Sequence, residues 1–337
     1  MVQTDTGTRL LRLVNGYQFT QVIYVVAKLG VADLLQSGPM HIDELAKATE
    51  THAPSLYRLL RALAGHGIFI EYPNRYFDLT PLANCLQQDS PGSVRDIAIL
   101  RGDDYYRTWG DLLYSVTTGI PSFQRVFGMS NWEYRQLNAN ANAQFNSFVA
   151  EMARRRAISV LSTYSFPEDG VAVDVGGGNG TLLMSILNRY PRLQGILFDM
   201  PQVIKDAQIE IKKSGVGERC VAMSGDFFNE VPSGGTFYIL SAVLHDWEDD
   251  RAATILRRCK DSMNGAPLFI IERILPERNQ PSSALLSDLD MLVNTGGYER
   301  DEASWRSLLE SAGFQLESIA PTASDFYVLR ASPRPTT

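Results

Sequence analysis

The spacing of apolar residues changes near residue 165 of the chain. Before this point apolar residues recur at helical intervals, as in residues 16–36, 42–48 and 54–65. After it, short apolar runs alternate with amphipathic stretches, a pattern typical of a parallel sheet covered by helices. The change falls on a segment punctuated by Pro and Gly, residues 164–170, which predicts a boundary between two parts of the chain.

A strand–turn–strand pattern follows the N-terminal helices. Two short runs rich in apolar and aromatic residues, 68–72 and 76–79, flank the turn Pro73-Asn74-Arg75. Helices followed by such a hairpin predict a winged-helix unit in residues 1–100. Residues 101–165 are predicted to be a helical linker that contributes to a ligand pocket.

Winged-helix units often bind DNA, so the charge of this part of the chain matters. Residues 1–100 carry eight Lys/Arg and nine Asp/Glu, and the candidate recognition helix offers only Arg58 and Arg61. A DNA-binding surface has to neutralise several phosphates. A packing or dimerisation role is therefore favoured, because residues 16–36 are also apolar over more than one face.

The C-terminal part, residues 166–337, is predicted to be a doubly wound α/β domain. Its predicted strands are 171–175, 195–199, 219–223, 236–243 and 267–274, its predicted helices are 180–190, 201–213, 248–263 and 301–312, and a closing hairpin covers 314–330. In such a sheet ligands bind at the carboxyl ends of the strands.

Composition narrows the possible functions. A net charge of −7 disfavours nucleic acid and anionic membrane as partners. The short basic cluster Arg154-Arg155-Arg156 is interpreted as a solvated helix end. Three cysteines without a CxxC pair indicate a reducing compartment and no zinc cage. Neither a signal peptide nor an apolar run of membrane-spanning length is recognised, so a cytoplasmic protein is expected.

A glycine-rich segment, residues 173–180, follows the first predicted strand of the C-terminal part. Its pattern is GxGxG and not the dinucleotide fingerprint GxGxxG, because Thr181 occupies the place of the last glycine. Asp199 ends the second strand, where an acid can bind ribose hydroxyls, and Asp226 with Phe227 follows the third. Each acid alone could be a helix cap, and the loop alone a structural turn. All three in order predict a site for an adenosyl-type cofactor.

One histidine stands at the carboxyl end of a predicted strand of the sheet, His245. An unperturbed pKa near 6.5 would suit it as a general base at neutral pH. Glu272 and Glu299 are candidates for the carboxylate that fixes its tautomer, although each could be an ordinary ion-pair partner and His245 could belong to a capping loop. The remaining histidines lie on predicted caps or turns of the N-terminal part and are interpreted as structural or solvent-facing: His41, His52 and His66.

Five motifs together resemble those of the plant caffeate-type and bacterial natural-product O-methyltransferases, a family of class I methyltransferases. They are Asp174-Val175-Gly176-Gly177-Gly178-Asn179-Gly180, Phe198-Asp199-Met200-Pro201, Gly225-Asp226-Phe227-Phe228, His245-Asp246-Trp247 and Gly296-Gly297-Tyr298-Glu299-Arg300. The resemblance spans nearly the whole chain. It implies S-adenosylmethionine as the cofactor, a Rossmann-like sheet of seven strands, a homodimer built by the N-terminal region, and a phenolic or enolic hydroxyl of a small secondary metabolite as the acceptor.

The resemblance also implies roles for individual residues. His245 would be the base, with Glu272 and Glu299 on either side of it. The implied cofactor-binding residues are Gly176, Gly178, Asp199, Met200, Gly225, Asp226, Phe227 and Ser241. The implied acceptor-binding residues are Trp109, Phe145, Asn146, Val149, Asp246, Met152, Met291 and Asn294, with Phe148 beside them.

The chain departs from the plant members of the family in two places. They carry lysine four residues before the histidine, where this chain has Ser241, and methionine and histidine where it has Val149 and Met152. A lignin-type acceptor is therefore not inferred. Two alternatives stay open: a relative with the same fold that hydroxylates or decarboxylates its substrate, and a winged-helix regulator that senses the cofactor.

Overall fold

A computed structural model describes residues 6–334, which form two compact units. The first unit extends to Gly110 and includes Ala139–Glu151. The second consists of Asp111–Asn138 and the chain from Met152 onwards. The predicted linker 101–165 is thus divided between the two units. Residues 1–5 and 335–337, which the predicted terminal domains include, lie outside the described part.

The first unit is mainly helical. Its elements are α1 (Thr6–Val14), α2 (Gly16–Lys28), α3 (Val31–Leu34), β1 (Met40–His41), α4 (Ile42–Ala48), α5 (Ala53–Ala64), β2 (Phe69–Tyr72), β3 (Tyr76–Leu79), α6 (Pro81–Asn84), α7 (Arg95–Gly102), α8 (Asp104–Trp109) and the first half of α12 (Ala139–Thr163). The predicted hairpin is β2 and β3, and β1 adds a third antiparallel strand beside β3.

The predicted helical stretch 16–36 is interrupted. Helix α2 ends at Lys28, and Gly30 adopts a φ of 66°, a left-handed conformation that a helix cannot continue through. The histidines of this unit lie where the sequence predicted. His41 caps α4 in a capping box, His52 precedes α5, and His66 is exposed in the turn after it.

The second unit contains a sheet of seven strands with helices on both faces. Its strands are β4 (Asp169–Val175), β5 (Arg192–Asp199), β6 (Cys220–Ser224), β7 (Phe237–Ser241), β8 (Leu268–Arg273), β9 (Phe314–Pro321) and β10 (Phe326–Pro333). Their order is β6-β5-β4-β7-β8-β10-β9, with β10 antiparallel to both of its neighbours and β4 to β8 mutually parallel. The predicted doubly wound α/β class is confirmed.

The helices of this unit are α9 (Leu112–Thr118), α10 (Ser122–Phe127), α11 (Asn131–Leu137), the second half of α12, α13 (Thr181–Arg189), α14 (Pro201–Lys213), α15 (Asp249–Met263), α16 (Ala284–Asn294) and α17 (Glu302–Ser311). Alternate residues of the central strands enter two hydrophobic clusters, one on each face of the sheet. All five residues of β7 are buried. Burial on both faces fixes the strand ends that carry the polar residues of the site.

Two details differ from the sequence predictions. Helix α16 was not predicted. The basic cluster at residues 154–156 is not a helix end, because α12 continues to Thr163. Arg154 and Arg155 are exposed, but Arg156 is buried against the sheet. Its interpretation as part of a solvated helix end is therefore wrong.

No single helix among residues 6–334 is long and apolar enough to cross a membrane. The bent pair Thr6–Lys28 and Val31–Ser37 meets that criterion only when the two parts are taken together, by length and composition alone. Cys85, Cys220 and Cys259 are all free thiols.

Candidate active site

The chain turns sharply after β7 and places His245 at the carboxyl end of the sheet. Ala242 has a φ of 54°, a left-handed conformation that an L-residue adopts at a cost of about 1 kcal/mol. A 3-10 turn, Leu244–Asp246, follows directly. His245 is buried in this turn, with a side chain that is 10% exposed.

Glu272, the penultimate residue of β8, holds this turn. Its Oε1 accepts hydrogen bonds from the backbone N–H groups of Val243 (3.0 Å), Leu244 (3.0 Å) and His245 (3.4 Å). A carboxylate that is fully buried needs such partners, since an isolated buried charge is costly. These hydrogen bonds stabilise the buried charge of Glu272 and give the backbone N–H groups of the turn an acceptor.

The same carboxylate and Glu299 also reach the imidazole. Nδ1 of His245 lies 3.2 Å from Oε2 of Glu272 and 3.3 Å from Oε1 of Glu299. Neither contact is a well-aligned hydrogen bond, so the ring nitrogen is shared between the two oxygens as an ion pair. Nε2 points away from both glutamates, and its nearest acid is Asp246, at 4.0 Å.

Glu299 is held in place by Ser287 and Arg273. Its Oε1 accepts a hydrogen bond from Oγ of Ser287 (2.7 Å) and lies 3.7 Å from Nη1 of Arg273. The loop that carries it passes very close to the histidine turn at Gly297. A Cβ atom at this position would lie 2.0 Å from the carbonyl oxygen of His245. Only glycine permits this approach.

Arg300 fastens the two loops together, a role that the sequence analysis did not assign. Its Nη1 donates to the carbonyl of Leu244 (3.0 Å) and its Nη2 to that of Trp247 (2.8 Å). Its Nε donates to Asp249 (2.9 Å). The side chain is completely buried, so these bonds form in a region of low dielectric constant. The only signal in the sequence was its place beside Glu299 in a recognised motif.

The charges around His245 shift its titration. Burial would lower the pKa of His245, but the two glutamates outweigh it and raise the pKa to about 10. Burial raises the pKa of Glu272. Burial also acts to raise the pKa of Glu299, but His245, Ser287 and Arg273 reverse this and lower it. The expectation of an unperturbed histidine pKa near 6.5 is therefore wrong, because it ignored two carboxylates at one ring nitrogen.

The glycine loop lies one strand away from the histidine turn. Asp199 at the end of β5 accepts hydrogen bonds from the N–H of Gly178 (2.8 Å) and of Met200 (2.7 Å), which ties the loop to the second strand. Gly178 has a φ of 61° and open space around the position of a Cβ atom. The loop therefore leaves room for a ligand against bare backbone.

Asp226 and Phe227 follow β6 as expected. Asp226 accepts from the N–H of Phe228 (2.9 Å) and from the amide of Asn229 (3.2 Å), so it also caps its own turn. Gly225 precedes it against the ring of Phe198. Phe227 is partly buried, and the edge of its ring faces Gly176.

These residues fit an adenosyl cofactor that carries an amino-acid tail. Carboxylates at the ends of β5 and β6 suit ribose hydroxyls and an adenine edge. Beside them Oγ of Ser241 and both carboxylate oxygens of Asp174 are buried without a hydrogen-bond partner. Buried polar atoms without partners mark a place where a polar ligand group can bind.

The residues expected to bind the acceptor are divided between the two units. Trp109, Phe145, Asn146 and Val149 belong to the first unit, and Met152, Asp246, Met291 and Asn294 to the second. Within the second unit, Asn294 is buried and donates to the carbonyl of Asp290 (2.9 Å). Met291 lies one turn earlier on α16 and accepts a weak hydrogen bond from Thr295.

His245, Glu272 and Glu299 also offer ligand atoms within 4.8 Å of one another, close enough to hold a metal ion. The surroundings oppose this use. Oε1 of Glu272 is already taken by backbone N–H groups, and the cation Arg273 lies beside Glu299. The donor set therefore fits a charged histidine better than a divalent cation.

Comparison with known proteins gave consistent matches. An O-methyltransferase domain matches residues 109–315, and an O-methyltransferase dimerisation domain matches residues 11–89. The chain is 42% identical to the phenazine O-methyltransferase of Lysobacter antibioticus, over 96% of this chain and 95% of that protein. Its fold resembles the crystal structure of LaPhzM with a TM-score of 0.95 and 41% identity, covering 98% and 100% of the two chains.

A third match was solved with ligands. The O-methyltransferase NcsB1 of neocarzinostatin biosynthesis has a TM-score of 0.82 and 29% identity, covering 94% of this chain and 96% of its own. That structure contains S-adenosylmethionine and 2-hydroxy-5-methyl naphthoic acid.

Proposed function

This chain belongs to the family of S-adenosylmethionine-dependent O-methyltransferases with an N-terminal dimerisation domain, and from this premise we propose that it methylates a phenolic or enolic hydroxyl with His245 as the base. The observation that carries the proposal is the contact of Nδ1 of His245 with Glu272 and Glu299, at 3.2 Å and 3.3 Å. These contacts sit on the sheet that carries the cofactor-binding motifs.

The two glutamates determine which ring nitrogen can act. Because both carboxylates face Nδ1, the proton stays on that nitrogen, and Nε2 is the atom that exchanges a proton with the acceptor. When bound, S-adenosylmethionine supplies a methyl carbon that is already activated by its sulfonium. The protein therefore has to position the acceptor oxygen and hold its proton.

The raised pKa of His245 suits a phenolic acceptor. A phenol has a pKa of about 10. The two glutamates outweigh the lowering effect of burial and raise the pKa of His245 to about 10 as well. A proton shared between two such groups spends a comparable time on each, so the acceptor oxygen carries substantial phenolate character. A histidine with a pKa of 6.5 would hold that proton roughly 3,000-fold less well.

The same argument predicts the dependence of activity on pH. Below about pH 10 both His245 and the phenol are protonated, because each has a pKa of about 10. The pair has to lose one of these two protons before the acceptor oxygen can react. Activity at saturating cofactor should therefore rise with pH towards about 10.

Roles for the remaining residues follow from their positions. The cofactor would lie against Gly176, Gly178 and Gly225, with Asp199 and Met200 at the ribose and Asp226 and Phe227 at the adenine. Asp246, on the Nε2 side of the imidazole, would contact the acceptor or its neighbouring hydroxyl. Within the second unit, Met152, Met291 and Asn294 would bind the acceptor ring.

The partner and location are proposed on the same basis. Helix α1 has no buried residue, and Leu10, Leu11 and Leu13 are each at least 60% exposed within one chain. An apolar helix of this kind in a dimerisation domain supports a homodimer. The three free cysteines support a reducing, cytoplasmic compartment.

The test is the variant His245→Ala, assayed with labelled S-adenosylmethionine against a panel of hydroxylated phenazines and 2-hydroxy-5-methyl naphthoic acid. These compounds are chosen because one similar protein is a phenazine O-methyltransferase and the structure of NcsB1 contains this naphthoic acid. Turnover should fall at least about 100-fold while affinity for S-adenosylhomocysteine stays within about threefold. With a more acidic phenol, which ionises without a base, the turnover of His245→Ala should fall by a smaller factor. His52→Ala is the matched control and should keep full activity.

Mass spectrometry of the product separates this proposal from the alternatives. A gain of one methyl group on oxygen supports it, whereas a hydroxylated or decarboxylated product would replace it with the other chemistry. A specific gel shift that persists at high salt would instead support a regulator. Equal turnover by His245→Ala and the unchanged protein would refute the role of this histidine.

A further inference from the structure

Arg273 lies between two carboxylates beside the histidine turn. It is the last residue of β8, its side chain is 13% exposed, and its guanidinium carbon lies 4.2 Å from the centre of the Phe326 ring. Its Nε donates a hydrogen bond to Oδ2 of Asp325 (2.8 Å), the residue before β10, whereas its Nη1 lies 3.7 Å from Oε1 of Glu299. The guanidinium is therefore hydrogen-bonded to Asp325 and makes only a longer ion pair with the glutamate that contacts His245.

Glu299 has the capacity for a closer contact with this cation. Its Oε1 already accepts a hydrogen bond from Ser287 (2.7 Å) and contacts Nδ1 of His245 (3.3 Å). Its Oε2 is buried and has no hydrogen-bond partner within residues 6–334. A guanidinium carries five N–H donors in a planar fork that suits both oxygens of a carboxylate, and a buried acceptor without a donor is costly. A restraint is therefore needed to keep the fork of Arg273 from turning onto Glu299.

Asp325 and the start of α16 supply this restraint. Oδ2 of Asp325 accepts hydrogen bonds from Arg273 and from Oγ of Ser283, the residue before α16. Ser287, one turn further along the same helix, donates to Glu299. Burial acts to raise the pKa of Asp325, but the bonds from Ser283 and Arg273 reverse this and lower it, so this side chain is a carboxylate at neutral and alkaline pH. Two serines of one helix thus fix the two acids on either side of the guanidinium.

We propose that Asp325 is a positioning residue for methyl transfer, which holds Arg273 away from Glu299 and so leaves that carboxylate to the imidazole of His245. This inference rests on the proposed role of His245 as the base. Without Asp325, the fork of Arg273 would be free to reach both oxygens of Glu299. Its charge would then compete with the imidazolium for Oε1 and repel it, and His245 would be a weaker base.

Other charged groups also act on the imidazole and on Glu299, and they come from each element packed against them. They are Asp246 on the histidine turn, Glu272 and Arg273 on β8, Arg156 on α12, Asp288 on α16 and Asp325 before β10. The variants below change only Arg273, Asp325 and the serine that bonds to Asp325. A shift in the titration of His245 can therefore be traced to this pair.

The experiment is an NMR titration of His245 in Asp325→Asn, in the complex with S-adenosylhomocysteine. A cation that moves from 3.7 Å to about 2.8 Å from a carboxylate changes their interaction by about 1 pH unit at an effective dielectric constant of about 20. The midpoint should therefore fall by about 1 pH unit, which makes the base about tenfold weaker. Glu317→Gln is the matched control, because it breaks a similar ion pair with Arg330 (2.9 Å) on the exposed side of the β9–β10 hairpin, and it should leave the midpoint in place.

A double-variant cycle shows whether Asp325 acts through Arg273. Arg273→Gln should shift the midpoint in the opposite direction, upwards, because it removes a cation 3.7 Å from Glu299. Once Arg273 is replaced, adding Asp325→Asn should move the midpoint by no more than about 0.3 pH unit. Asp325→Glu restores the carboxylate and should recover most of the original midpoint.

Ser283→Ala keeps the test decisive if Asp325→Asn does not fold. Ser283 is exposed, and its loss removes one donor from Asp325, so the midpoint should fall by a smaller amount in the same direction. An unchanged midpoint in the variant that folds, or an equal fall with and without Arg273, would overturn the proposal, and lower stability without a shift would show a merely structural role. The titration needs no acceptor, so it can fail while His245→Ala still abolishes turnover, and the two proposals are refuted by different results.

Discussion

Replacing Glu299 by glutamine tests how the site sets the basicity of His245. The change keeps the size of the side chain and can keep the bond from Ser287, but it removes a negative charge 3.3 Å from Nδ1. It also leaves Arg273, which lies 3.7 Å from Glu299, without that carboxylate. Both effects disfavour the imidazolium, so the pKa of His245 should fall.

The size of the fall follows from the geometry. The pKa of His245 is raised from 6.5 to about 10, and the two carboxylates that raise it lie at nearly equal distances. Because burial acts in the opposite direction, the two carboxylates together raise the pKa by more than this net change. If they contribute equally, removing one lowers the pKa by at least roughly 2 units, to about 8 or below. Coulomb's law sets a ceiling: 332/(20 × 3.3) is about 5 kcal/mol, or roughly 4 pKa units.

The assay is an NMR titration of the imidazole in the complex with S-adenosylhomocysteine, which requires no acceptor. The chain has only four histidines, so the signal of His245 can be assigned by its absence in His245→Ala. The midpoint should move from about 10 to about 8 or below in Glu299→Gln. Once an acceptor is known, the pH at which the activity of Glu299→Gln rises should shift downwards by the same number of pH units as the titration midpoint. The maximal activity at high pH should fall about tenfold, because His245 is then a weaker base.

Glu302→Gln is the matched control, since it removes a carboxylate that is exposed on α17. In this variant the midpoint of the His245 titration should stay within a few tenths of a pH unit of its value in the unchanged protein. If Glu299→Gln also left the midpoint in place, the two-carboxylate explanation of the raised pKa would be refuted.

Four other perturbations follow from the same structure. Gly297→Ala should destabilise the protein by at least about 3 kcal/mol in urea unfolding, because its Cβ would lie 2.0 Å from the carbonyl oxygen of His245, and an unchanged midpoint would contradict that contact. Arg300→Met should cost about 2–5 kcal/mol in the same assay, since it leaves two buried carbonyls and Asp249 without their donor. Treatment with a chelator should leave methyl transfer unchanged, and activity restored only by a divalent cation would instead assign the His–Glu–Glu cluster to a metal. The double variant Leu10→Asp and Leu13→Asp should elute as a monomer with light-scattering detection, and a persistent dimer would exclude α1 from the interface.

The sequence alone determined the order of elements in the C-terminal part and the points at which polar residues interrupt them. Buried parallel strands read as continuous apolar runs, and glycine and acids at their ends stand out against that background. The sequence alone therefore places Asp199, Asp226 and His245 at or just after strand ends. Local signals also place His41 and His52 at the N-terminal ends of α4 and α5, where the side chain of His41 caps its helix and that of His52 does not.

Helices whose burial depends on contacts with distant parts of the chain are harder to predict from the sequence. The sequence pattern does not predict helix α16. It predicts a helix end at residues 154–156, although α12 continues to Thr163. A run of arginines is usually solvated, and only packing against the sheet makes Arg156 an exception. No feature within three consecutive arginines indicates which one faces the core.

The tertiary structure alone decided the chemistry of the histidine. Glu272 and Glu299 lie 27 and 54 residues beyond His245, so nothing local indicates that both reach the same nitrogen. Their convergence requires β8 to lie beside β7 and Gly297 to let a third loop approach. Electrostatic energy depends on distance and burial, and these exist only in the folded chain. The sequence could supply the groups that titrate, but only the fold could supply the pKa values at which they do so.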